Sequence, residues 1–187
     1  MTALALIQKA VKPHQQKGTA AVVKYVNDAL DPISGAAYWA NPEGANGPEG
    51  AFQSDFIVKT LAEHVKAMEG SQLEVSHFPI GAFILAITAV SRAFLMFSTG
   101  AFINAGSFSK ENIGNLTTEW SDGAAVKTFL AKTHRMDELL NRIDDFLNKK
   151  PTPQQTRTAT QNQYCTLSKA AATIVDQSSP PAPEVDE

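Results

Sequence analysis

The sequence predicts an all-α fold: a compact multi-helix bundle around a buried central hydrophobic helix, with a flexible C-terminal tail. Three observations carry it. Apolar residues recur at three- and four-residue steps in several segments separated by Gly, Pro or Asp-Pro breaks. No segment shows sustained period-two alternation rich in β-branched residues. The chain of 187 residues is 43% hydrophobic and 19% charged, which suits one globular core and excludes wholesale disorder. The expected organisation is an N-terminal helical segment over residues 1–37, a helical core domain over 38–148, and a Pro-rich, mostly disordered tail over 149–187.

The first 27 residues carry Lys9, Lys12, Lys17 and Lys24 and no acid, and read as a helix pair broken at Pro13 with a solvated lysine face. Lys9 interrupts the opening apolar stretch and no small-residue cleavage site follows, so no secretory signal is expected. Val22, Val23, Val26 and Leu30 form a stripe that Asp31-Pro32 stops. Residues 33–53 hold Pro42, Pro48, Gly35, Gly44, Gly47 and Gly50, too many breakers for a regular element, with Tyr38 and Trp39 pinning the loop to the core. Ser54 as N-cap and Asp55 in the first turn start a helix carrying Ile57, Leu61, Val65 and Met68, which Gly70 ends. Its outer Lys59 and Glu63 add only about 0.2–0.5 kcal/mol, so packing decides this helix.

Residues 78–97 form one apolar run of membrane-spanning length, about 20 residues. Pro79 and Gly81 at its start, Thr88 and Ser91 within it, and Arg92 in its far third argue against a span, since a guanidinium in hydrocarbon costs at least about 2.5 kcal/mol. The run is the expected buried central helix, with Ser91 and Arg92 on the one face that reaches water or a partner. Gly100 stops it. Phe102, Ile103 and Phe108 lead to Ser109, the expected N-cap of a short helix with Glu111, Ile113, Leu116 and Trp120 that Ser121-Asp122-Gly123 interrupts. Met136, Leu139, Leu140, Ile143, Phe146 and Leu147 mark a last amphipathic helix. In the tail, Pro151, Pro153, Pro180, Pro181 and Pro183 flank Leu167, Ala170, Ala171, Ile174 and Val175, whose spacing predicts a short helix over residues 164–175 that forms or docks.

The chemistry-bearing residues are sparse. A net charge of -3, from 16 basic and 19 acidic residues, gives no electrostatic reason to bind a polyanion. Cys165 is the single cysteine and cannot close an intramolecular disulfide, and it leaves no Cys-rich zinc site with the four histidines; the expected home is intracellular, cytoplasmic or nuclear. His134, Asp137 and Glu138 share one helical face, which reads as a solvated face rather than a metal site. The glycine-rich residues 44–50 carry no Lys-Ser or Lys-Thr and cannot cradle phosphate. Asn115-Leu116-Thr117 is a glycosylation sequon by accident of a helical segment. No catalytic, cofactor-binding or metal-binding residue is assigned, and no cofactor is expected.

The run from Phe52-Gln53-Ser54-Asp55-Phe56 through Val65, then Phe78-Pro79-Ile80 opening Ala86-Ile87-Thr88-Ala89-Val90-Ser91-Arg92-Ala93-Phe94, then Ser98-Thr99-Gly100 and Phe108-Ser109-Lys110-Glu111-Asn112, resembles an uncharacterised helical domain family of mushroom-forming fungi, domain of unknown function sixty-five thirty-two. The resemblance extends over residues 38–147, most specifically in the central helix with its trailing Ser-Thr-Gly and the Phe-Ser helix start. It implies a soluble, intracellular all-α domain, speaks against a membrane span, and gives no residue a catalytic role.

The leading expectation is a non-enzymatic protein-interaction module whose partner, a protein of unknown identity, meets a groove edged by Arg92, Phe97 and the loop around Trp39. The alternative is an enzyme or small-ligand pocket in which Glu63 or His64 faces His77 and His134 from separate helices. Weak nucleic-acid binding through Lys9, Lys12, Lys17 and Lys24 stands third.

Overall fold

The structure, a computed structural model, describes residues 2–68 and 79–148. Thr2 accepts the Ala5 N–H and starts α1 (Ala3–Gln15), which buries Ile7 and Val11. The helix runs through Pro13 instead of breaking there. Pro13 lies in the final turn, where its missing N–H forfeits only one backbone bond; the chain turns at Gly18, whose φ of 102° a side chain would resist. α2 (Thr19–Ala29) buries Val22, Val26 and Ala29.

The glycine-rich stretch forms a small antiparallel hairpin of β1 (Trp39–Asn41) and β2 (Glu49–Ala51), which the breaker count did not lead us to expect. Each strand is three residues long, too short for an alternation to register. Ser54 ties this loop to the helix that follows. Its hydroxyl donates to the Ala37 carbonyl (2.6 Å) and accepts the Ile57 N–H (3.2 Å), capping α3 (Asp55–Met68).

α4 (Ile80–Leu95) is the centre of the bundle and packs on α1, α2, α3 and α5. Phe83, Ile87, Val90 and Phe94 are fully buried on it. Two aromatic groups flank it. Phe83 stacks on Phe129 at 5.1 Å, and both meet the edge-on ring of Phe52, which also touches Tyr38 and Trp120. Farther along, Phe94 meets Phe56 (5.2 Å) and Tyr25 (6.1 Å), and Tyr25 stacks on His14.

The expectation that Ser91 and Arg92 mark a wet face of α4 is corrected. Ser91 is 2% exposed, donating to the Ile87 carbonyl and sharing a hydrogen bond with the Tyr38 hydroxyl (3.1 Å). Arg92 is 8% exposed. Tyr38 meets Ser91, and Arg92 is covered because the segment before α5 (Lys110–Asp122) folds back over the end of α4. The short α6 (Ala124–Leu130) follows after Gly123, unforeseen because about two turns carry too little periodicity. It buries Val126 and Phe129 and leads to α7 (Thr133–Asn148), which lays Leu139 and Ile143 on α3 and α6. At that junction Gln53 donates to Glu138 (3.0 Å) and Arg142 lies 3.5 Å from Asp55.

Among the described residues no helix is long and apolar enough to cross a membrane. The Gly70 stop, His77, Cys165 and the tail over residues 149–187 with its expected helix lie outside the described residues.

Candidate functional site

Between Arg92 and Lys110 the chain carries no charged residue. After α4 ends, residues 96–109 form a strap that runs back to the start of α5. Local sequence fixes its path. The Ile103 N–H donates to the Met96 carbonyl at 2.7 Å, and Phe97 packs on Phe102 at 5.4 Å. Gly100, at φ 86°, passes so close to the start of α2 that a Cβ there would meet the Thr19 carbonyl oxygen at 2.8 Å.

Arg92 is the main tether of the strap. Its Nη2 donates to the carbonyls of Ala105 (2.5 Å) and Gly106 (2.9 Å), and its guanidinium carbon lies 5.8 Å from the centre of the Phe108 ring. Arg92 forms no ion pair among the described residues, so carbonyl dipoles and an aromatic face balance its charge. Asn112 holds the other end by donating to the Ser107 carbonyl (3.0 Å).

This arrangement opens a cleft of about 420 Å³ between the end of α4, the strap and α5. Its apolar lining is Leu95, Met96, Ile103, Ile113 and Leu116, and Arg92, Glu111 and Glu119 supply its charges. Leu95 (47% exposed), Phe102 (45%), Ile103 (52%) and Phe108 (48%) stand in solvent along the cleft edge and the strap. Ser109 occupies the N-cap position of α5 but makes no capping bond with the helix amides; its hydroxyl binds the Glu111 carboxylate instead. That bond and the Glu111 amide hold the Glu111 carboxyl below the usual carboxylate range, so it is charged at neutral pH.

Of the expected groove, only Arg92 lines the cleft. Phe97 is 2% exposed beneath Phe102, and Trp39 is half-buried on β1 with its indole N–H donating to the Pro32 carbonyl (3.3 Å). Of the acid and histidine alternative, His64 is exposed on α3, His134 is exposed on α7 and Glu63 is half-buried, while His77 lies outside the described residues. Glu138, the third member of the His134 face, is engaged by Gln53, and among the described residues no group of three His, Cys, Asp or Glu is arranged to hold a metal ion. Lys9, Lys12, Lys17 and Lys24 are all exposed, the last paired with Asp28 at 2.6 Å.

Sequence reasoning passed over Leu95, Phe102, Ile103, Glu111 and Glu119 as site residues. A signal existed: residues 96–109, uncharged, with three phenylalanines and no helical stripe, are apolar surface that no periodicity buries. Comparison with protein-family models, with curated proteins and with solved structures found no match to this chain.

Proposed function

We propose that this protein is a non-enzymatic, intracellular protein-interaction module that receives its partner at the cleft between α4, the strap and α5. The observation that supports the reading is the exposure of Leu95, Phe102, Ile103 and Phe108 together on a stretch without charge. Interface centres have this composition: aromatic and aliphatic anchors, depleted of charge and rimmed by polar groups. The site also has the stiffness that docking favours, because the Arg92 tethers and the Met96–Ile103 bond order the strap before any partner arrives.

The test is capture from the native cell. The full chain should retain a partner that the Leu95→Asp, Ile103→Asp double variant, with an unchanged melting temperature, no longer retains. Equal capture by both proteins, or none by either, contradicts the proposal.

A further inference from the structure

Resting on that docking reading, we infer that the segment entering the cleft is an amphipathic helix with a basic flank. Three features of the site favour this chemistry over an acidic or extended segment.

The first is the balance of charge. Three charged side chains line the cleft, and Arg92 is committed to the Ala105 and Gly106 carbonyls and the Phe108 ring. The carboxylates of Glu111 and Glu119 are left to meet the occupant. The strap contributes no charge to offset them. A basic flank is complementary, whereas an acidic one meets like charge beside an apolar, partly desolvated wall.

The second is spacing. Glu111 and Glu119 lie eight residues apart on one helix, about 12 Å along its axis, just over two turns. Lysines or arginines two turns apart on a partner helix match that interval. An apolar row at three- and four-residue steps on the same partner helix then faces Leu95, Ile103, Ile113 and Leu116.

The third concerns the backbone. An extended peptide gains affinity by adding a strand to a sheet edge. Among the described residues the strands are β1 and β2, and neither lines the cleft. A helix satisfies its own backbone and asks only for a groove between two elements, which α4 and α5 provide.

The probes are two fluorescein-labelled synthetic peptides of about four helical turns with one leucine stripe, one carrying lysine and the other glutamate on the polar face. Anisotropy titrations use the full chain at low and at physiological ionic strength. The lysine peptide should bind about tenfold more tightly than the glutamate peptide, with the difference shrinking as salt rises. Binding of the lysine peptide should weaken about fivefold to tenfold in Glu111→Gln, Glu119→Gln, and should be lost in Leu95→Asp. Glu43→Gln, Glu49→Gln, which removes two exposed acids of the hairpin outside the cleft, should change nothing. Circular dichroism and melting temperature establish that each variant is folded.

Equal binding of the two peptides, lost in Leu95→Asp, sinks the basic-partner inference and leaves the docking site standing. Lysine-peptide binding that persists in Leu95→Asp, or that Glu43→Gln, Glu49→Gln weakens as much as the cleft variant does, overturns the site together with the inference. Absence of binding by either peptide overturns the inference, while the capture experiment judges the docking reading separately.

Discussion

Ser54, 1% exposed, serves two elements with one hydroxyl, because the oxygen that caps α3 also donates to the Ala37 carbonyl in the loop before it. Ser54→Ala removes a helix cap and leaves the Ala37 carbonyl without its hydroxyl donor. It should lower stability by about 1–3 kcal/mol, measured by urea denaturation. Phe52 illustrates a different constraint. It holds a φ of 57°, in the left-handed region, and in that conformation its ring reaches Tyr38, Phe83, Trp120 and Phe129. Backbone strain of about 1 kcal/mol is outweighed by the packing of one ring against four others. The Ser54 cap was legible in the sequence because a cap is local: a serine, an acid and the apolar steps that follow. The burial of Ser91 and Arg92 was not, because a nearly all-apolar helix does not encode which of its sides the chain will later cover.

At the scale of elements, α4 should behave as the scaffold on which the rest depends. Phe94→Ala deletes a fully buried ring between Phe56 and Tyr25 and should cost about 3–5 kcal/mol in a thermal or urea transition. α7 carries the opposite opportunity. Burial, and then the neighbouring Asp145, raise the Asp144 carboxyl above its ordinary value of 3.8, and the helix has no basic residue in its last turn to offset them. A raised carboxyl means that the folded state binds the proton more tightly than the unfolded chain. The penalty is therefore fully present above the folded-state value and fades as pH falls through it toward 3.8. Asp144→Asn should melt about 1–3 °C higher than the parent at pH 7, and the gap should close on acidification; a gap that widens at low pH contradicts the assignment. The stripes of α3, α4 and α7 were readable because each repeats over several turns. The hairpin and α6 were not, since tertiary contacts alone decide elements of three and seven residues.

Over the whole molecule, a single apolar stretch does two jobs. From Phe83 to Phe94 most of it is core, wrapped by α1, α2, α3 and α5; beyond it Leu95, Phe102, Ile103 and Phe108 carry apolar chemistry into solvent beside two carboxylates. The all-α class and the buried middle of that stretch were legible from composition and period. The cleft was not, because it depends on how far α5 covers the end of α4 and on where Arg92 anchors the strap. Core and exposed strap differ in one observable, the freedom of their amides to exchange with solvent. Hydrogen exchange read by mass spectrometry on the full chain, alone and saturated with the lysine-leucine peptide, addresses both halves at once. Residues 83–94 should exchange slowest of all and at the same rate in both samples, while residues 96–119 should exchange faster when free and slow by about tenfold or more with the peptide. Fast exchange within 83–94, or peptide-induced slowing confined to any other part of the chain, would contradict it.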